Sequence, residues 1–185
     1  MEEYVAVAKI ESPAPDGRRL RVEFSQLADR YGHRLVVVEA DGRETIALQS
    51  IELTPEEESL EHPALQSLHV QPLADREGSL AALVGMSGTN HWSLSVEPDA
   101  DVPGRLIFDA ACRIKRHRPI QLATRYTTPG NESHPLLIEP IAIVGQAADP
   151  RIEFDHNTIA IVREVTPADV PPTTLRWRYN IELRQ

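Results

Sequence analysis

The residues best equipped for chemistry lie in two short stretches. Arg113-Ile114-Lys115-Arg116-His117-Arg118 is the densest cationic run in the chain. Side chains of an extended chain alternate between faces, so Arg113 and Lys115 share a wet face. Arg116 and Arg118 then fall in the turn that leads to Pro119. The chain carries a formal net charge of -9. A local cation cluster on such a chain attracts anions unless its neighbours neutralise it. Asp109 and Glu97 are the acids expected to do so. The second stretch is the row Asn90, His91, Ser93 and Ser95, read as one polar face beside Trp92. It offers donors and acceptors with little charge, which suits a small polar ligand. With Arg113 and Lys115 it makes the candidate ligand-binding set Arg113, Lys115, Asn90, His91 and Ser93.

Other chemistries find less support. Gly85-Met86-Ser87-Gly88-Thr89 approaches a nucleophile elbow, but its last position is Thr89 and a strand, not a helix, follows. The histidines, at positions 33, 62, 69, 91, 117, 134 and 156, show no i, i+4 pair and no closely spaced pair. Asp99 and Asp101 form a D-x-D without the glycine and distal glutamate of a calcium loop. Cys112 is in phase with Leu106, Phe108, Ala110 and Ile114, so it should be buried and inert. Asn131-Glu132-Ser133 matches a glycosylation acceptor that has no signal peptide to go with it. No catalytic residue, metal set or cofactor is therefore expected.

The elements that position these residues follow a period of two. Leu20, Val22 and Phe24 alternate with polar neighbours, as do Trp92, Leu94 and Val96, and Leu175, Trp177, Tyr179, Ile181 and Leu183. One-sided burial of this kind belongs to antiparallel sheets. Leu35–Val38, Leu136–Ile138 with Ile141–Val144, and Ile159–Val162 are apolar throughout and read as central strands. Asp41-Gly42 marks a hairpin turn, and Gly88-Thr89-Asn90 turns one strand back into the Trp92 strand. The 15 prolines sit at segment edges, where a missing N–H costs no ladder hydrogen bond. Helix is confined to one or two short turns, at Thr54-Pro55-Glu56-Glu57 and Thr166-Pro167-Ala168-Asp169, with another possible turn over Ser25–Tyr31. The expected fold is all-β: an antiparallel β-sandwich or partly open barrel of many short strands.

At 185 residues the chain fits a single all-β domain, 1–185. The alternative is two small β subdomains divided near 98–104, but that stretch also reads as a hairpin loop. Nineteen basic against 28 acidic residues disfavours nucleic acid. No apolar run approaches the roughly 18 residues of a membrane span. Met1-Glu2-Glu3-Tyr4 lacks the cationic start of a signal peptide, which reads as cytoplasmic. The expected function is a non-catalytic binding or protein-interaction module, with a protein or a small polar or anionic ligand as partner. The alternative is an enzyme whose site, a histidine and carboxylate metal centre for example, is assembled from separated strands inside a barrel. Three converging histidines, or two plus a carboxylate, would favour the enzyme.

The alternation places Trp177 in the core. Trp177→Ala should cost about 3–5 kcal/mol in a denaturant titration. A loss under about 1 kcal/mol would put the C-terminal strand in the opposite register.

Overall fold

A computed structural model describes residues 4–52, 60–116, 119–129, 135–145 and 149–184. Thirteen strands are present among them: β1 (Ala8–Pro13), β2 (Arg19–Leu27), β3 (Arg30–Val38), β4 (Glu44–Ser50), β5 (Ser67–Pro72), β6 (Ser79–Ser87), β7 (Asn90–Pro98), β8 (Arg105–Ile114), β9 (Gln121–Thr127), β10 (Leu136–Ile141), β11 (Arg151–Asp155), β12 (Thr158–Glu164) and β13 (Thr173–Leu183). They form a seven-stranded sheet, β1-β2-β3-β4-β9-β12-β11, and a six-stranded sheet, β10-β13-β8-β7-β6-β5. Both sheets are antiparallel, and they pack face to face without closing into a barrel. The sandwich is thus the form the chain takes. No helix among the described residues is long and apolar enough to cross a membrane.

Alternation builds the core as the sequence implies. Trp92, Leu94 and Val96 of β7, Phe108 and Cys112 of β8, and Trp177, Tyr179 and Ile181 of β13 are all buried. They join Leu20, Val22, Phe24 and Leu35 of the opposing sheet in one apolar cluster. Trp92 and Trp177 meet edge to face at 6.0 Å, and Phe108 stacks on Tyr179 at 5.0 Å. Burial pushes the Cys112 thiol up to about 12, so it carries no thiolate near neutral pH.

Punctuation behaves as expected at Asp41-Gly42. Gly42 has φ 86, and the Asp41 carboxylate accepts the Arg43 N–H at 2.9 Å, closing the β3–β4 hairpin. The stretch 98–104 joins β7 to β8, which pair along their length. Its turn is held by Asp99, whose Oδ1 accepts the Asp101 N–H at 2.8 Å. The D-x-D is therefore a local turn device.

Several expectations need correction. Thr166–Asp169 is a turn with no helix: Asp169 Oδ2 accepts both the Thr166 N–H (2.7 Å) and its hydroxyl (2.9 Å). Ser25–Tyr31 is the tip of the β2–β3 hairpin, since both strands continue through most of it. Thr54–Glu57 and Asn131–Ser133 lie outside the described residues, as do His117, Arg118 and His134. The first part of the apolar stretch 136–144 is the edge strand β10, paired to β13 alone, and Val144, beyond its end, is fully exposed. Leu136 and Ile138 face the core while Leu137 is left exposed, so only alternate apolar residues of the run are covered.

One glycine is fixed by close approach. A Cβ on Gly85 of β6 would lie 1.8 Å from the carbonyl oxygen of Ala64. The backbone at 64–66 presses against β6 here, with the Gln66 N–H bonded to the Val84 carbonyl at 2.9 Å. Because the obstacle is backbone, no rotamer change relieves it. Gly85→Ala should therefore lower stability by at least about 2 kcal/mol in urea. An unchanged midpoint would contradict this packing.

Candidate functional site

The β7–β8 pairing decides which predicted site residues meet. A loop centred near Asp101 would set His91 opposite Ala111 and Ser93 opposite Asp109. The observed register lies two residues further on: His91 opposes Arg113, Ser93 opposes Ala111, and Ser95 opposes Asp109. The cause is loop closure by the Asp99 N–H to the Arg105 carbonyl at 3.0 Å. A shift of two preserves the faces. His91, Ser93 and Arg113 are therefore neighbours on the outer face of the six-stranded sheet, and all three are exposed.

Asn90 does not join them. It belongs to the inward phase of β7 with Trp92, and it is completely buried. Its Oδ1 accepts the Lys115 backbone N–H at 3.3 Å, fastening the chain just past β8. Asn90 is thus a positioning residue for the cationic segment. Lys115 itself is exposed just beyond the end of β8.

His91, Ser93 and Arg113 line a groove of about 570 Å³ with Ser67, Val84 and Met86 along its other side. Thr174 of β13, opposite Arg113, closes the far end. Val84, Met86 and Thr174 escaped the sequence reading. In β6 both phases are apolar, with Ala81, Leu83 and Gly85 against Ala82, Val84 and Met86, so alternation indicates no outward face. Exposures of 54% at Val84 and 46% at Met86 identify it.

The expected neutralisation of Arg113 by Asp109 or Glu97 does not occur. Asp109 is bound instead by Arg176 (Nε–Oδ1 2.6 Å) and Arg178 (3.3 Å). Glu97 pairs with Arg76 at 2.9 Å. Arg178 lies directly opposite Asp109 on β13, whereas Arg113 is four residues along β8, about 13 Å away. Proximity across strands wins. Among the described residues neither Arg113 nor Lys115 has an ion-pair partner.

Several charges elsewhere are matched. On the outer face of the seven-stranded sheet, Glu23 contacts Lys9 (3.1 Å), Arg21 (2.9 Å) and Arg34 (2.7 Å). Burial pushes its carboxyl upward, but hydrogen bonds from Arg34 and Lys9 outweigh this and hold it below the ordinary range. In a second depression, near Pro15 and Pro103, Arg18 pairs with Asp16 and Glu182 with Arg105.

The enzyme alternative points to the interior, where His33 is the histidine found. Its Nε2 lies 2.9 Å from the Tyr126 hydroxyl, which meets the Tyr179 hydroxyl at 2.7 Å. A His–Tyr pair could move protons, but all three residues are sealed between the sheets. The adjoining cavity, bounded by Ser50, Glu52 and Thr124, measures about 10 Å³ and admits no substrate. With the sheets open there is no barrel lumen either. No three His, Cys, Asp or Glu side chains among the described residues come together as a metal set. Ser87 is buried at the end of β6, where a strand-turn-strand replaces the strand-turn-helix of an elbow.

No family model matches the chain, and no curated protein and no solved structure matches it.

The buried imidazole makes stability depend on pH. Burial pushes His33 down to about 4, against 6.5 in an open chain. Between these values the unfolded chain binds a proton that the folded one refuses, so stability falls as pH drops. His62, also pushed down to about 4 by burial, acts in the same sense. Glu52, pushed up to about 7 by burial, acts in the opposite sense between about pH 4.5 and 7. Comparison with His33→Gln isolates the imidazole. The stability advantage of the wild type should shrink by at least about 1 kcal/mol from pH 7 to pH 4.5. Parallel curves would contradict the assignment.

Proposed function

We propose that the chain is a non-catalytic binding module whose outer groove takes an anion-bearing ligand at Arg113. The observation that carries this reading is the imbalance on one sheet face. Arg176, Arg178, Arg105 and Arg76 are each held by an acid, while Arg113 stands in a groove with no described acid against it. A guanidinium presents paired donors in a fixed plane, which matches a carboxylate or phosphate. His91 and Thr174 supply further donors beside it, and the exposed Lys115 lies two residues further along the chain. Among the described residues no hydroxyl of the groove is hydrogen-bonded to His91, so none is paired with a base. Binding without turnover is what such a set can do.

The position of the groove supports the same reading. It lies on the face of a sheet whose other face is packed into the core, so its floor is rigid and needs little ordering when a ligand arrives. A screen of anionic metabolites and acidic partners against the wild type and the Arg113→Ala/Lys115→Ala variant tests it. A ligand found in the screen should bind the variant at least about tenfold more weakly, as for loss of one charge-assisted hydrogen bond. Equal affinity would make the patch a solvated strand face and place the site elsewhere.

A further inference from the structure

We infer that the ligand is an amphiphilic monocarboxylate, its carboxylate on Arg113 and its apolar part lying across Val84 and Met86. This rests on the anion-binding reading above and narrows it to a chemical class. The groove is polarised along one direction. Met86, His91 and Arg113 stand in register on three successive strands, β6, β7 and β8. Neighbouring strands are about 4.8 Å apart, so the methionine lies about 10 Å from the guanidinium's strand. One end is cationic; the other is apolar.

The floor between these ends suits an extended chain. Ser93 and Ala111 face each other across β7 and β8, and both side chains are small. The row therefore dips between the larger side chains at either side. A volume of about 570 Å³ falls within the ordinary range for small-molecule sites. Val84 and Met86 keep 54% and 46% of their surface exposed, the exposure an apolar chain would remove.

Charge limits the headgroup. One unpaired guanidinium fits one carboxylate in a two-pronged contact. A polyanion would place further charge over Val84 and Met86, where no described cation answers it. An acidic peptide has the same fault. Each methylene fully buried raises affinity about fourfold, so the chain, not the headgroup, should dominate.

Titrations of the full chain followed by ¹H–¹⁵N chemical shifts test this with acetate, octanoate, octylammonium, inorganic phosphate and hexaglutamate. Octanoate should shift the groove residues and bind at least about tenfold tighter than acetate. Val84→Ser/Met86→Ser should erase that advantage, Arg113→Ala should weaken octanoate, and octylammonium should not bind. If acetate or phosphate binds as tightly as octanoate and Arg113→Ala abolishes both, the amphiphile is overturned and the anion site stands. If hexaglutamate alone binds, the occupant is an acidic protein and the inference is overturned. If octanoate and octylammonium bind alike and Arg113→Ala changes neither, the anion reading itself fails. Absence of any shift overturns both.

Discussion

Two hydroxyls meeting across the sandwich, Tyr126 from β9 and Tyr179 from β13, tie the sheets at a point where neither could stay unpaired. A buried hydroxyl without a partner costs roughly 1–3 kcal/mol, so each tyrosine constrains the strand carrying the other. His33 of β3 completes the link through its Nε2, and Phe24 and Phe108 flank the imidazole at 5.9 Å. Apolar packing alone tolerates sliding of one sheet on another. A hydrogen-bonded row does not, because its partners must coincide in position. The Tyr179 register then passes from β13 to β8 and from β8 to β7. Once Tyr179 and Phe108 point inward, Arg113, His91 and Ser93 must point outward.

The electrostatic arrangement follows from that geometry. Cross-strand neighbours are the nearest side chains on a sheet face, and charges settle with them first. Asp109 lies opposite Arg178 and diagonal to Arg176, so it is taken before Arg113 can compete. Glu97, further down β7, is taken by Arg76. Exposed pairs of this sort contribute little to stability, typically below about 1 kcal/mol. Their importance here is which charge they leave over. On the outer face of the seven-stranded sheet Glu23 shows the contrary case, a carboxylate buried among three cations that it holds.

Much of this was legible in the chain. The strict alternation at Trp92–Val96 and Leu175–Leu183 gave both faces of β7 and β13, because a half-buried strand writes its burial into its spacing. Asp41-Gly42 announced its turn through a local conformational demand that needs no tertiary context. The pairing of His91 with Arg113 was out of reach by two residues, since it depends on how Asp99 closes a loop. Asn90 was placed on the wet face although its phase with Trp92 assigned it inward; polarity misled where parity was right. The apolar side of the groove could not be seen at all. In β6 small and large apolar residues occupy both phases, and pairing with β7 together with the backbone at 64–66 crossing Gly85 fixes which phase lies inside. The Arg113 partnership failed for a related reason: proximity along the chain to Asp109 says nothing of the arginines that β13 brings across.

On the proposed reading, the unpaired Arg113 guanidinium and the apolar patch of the six-stranded sheet form one site. A crystal structure of the protein grown with 8-bromooctanoate addresses it directly, because anomalous scattering locates the bromine independently of the protein. The expected result is carboxylate density on Arg113 with the bromine over Val84 and Met86. Bromine seated elsewhere, with the groove empty or the carboxylate on an arginine already paired to an acid, would show that Arg113 and the apolar patch do not share a ligand.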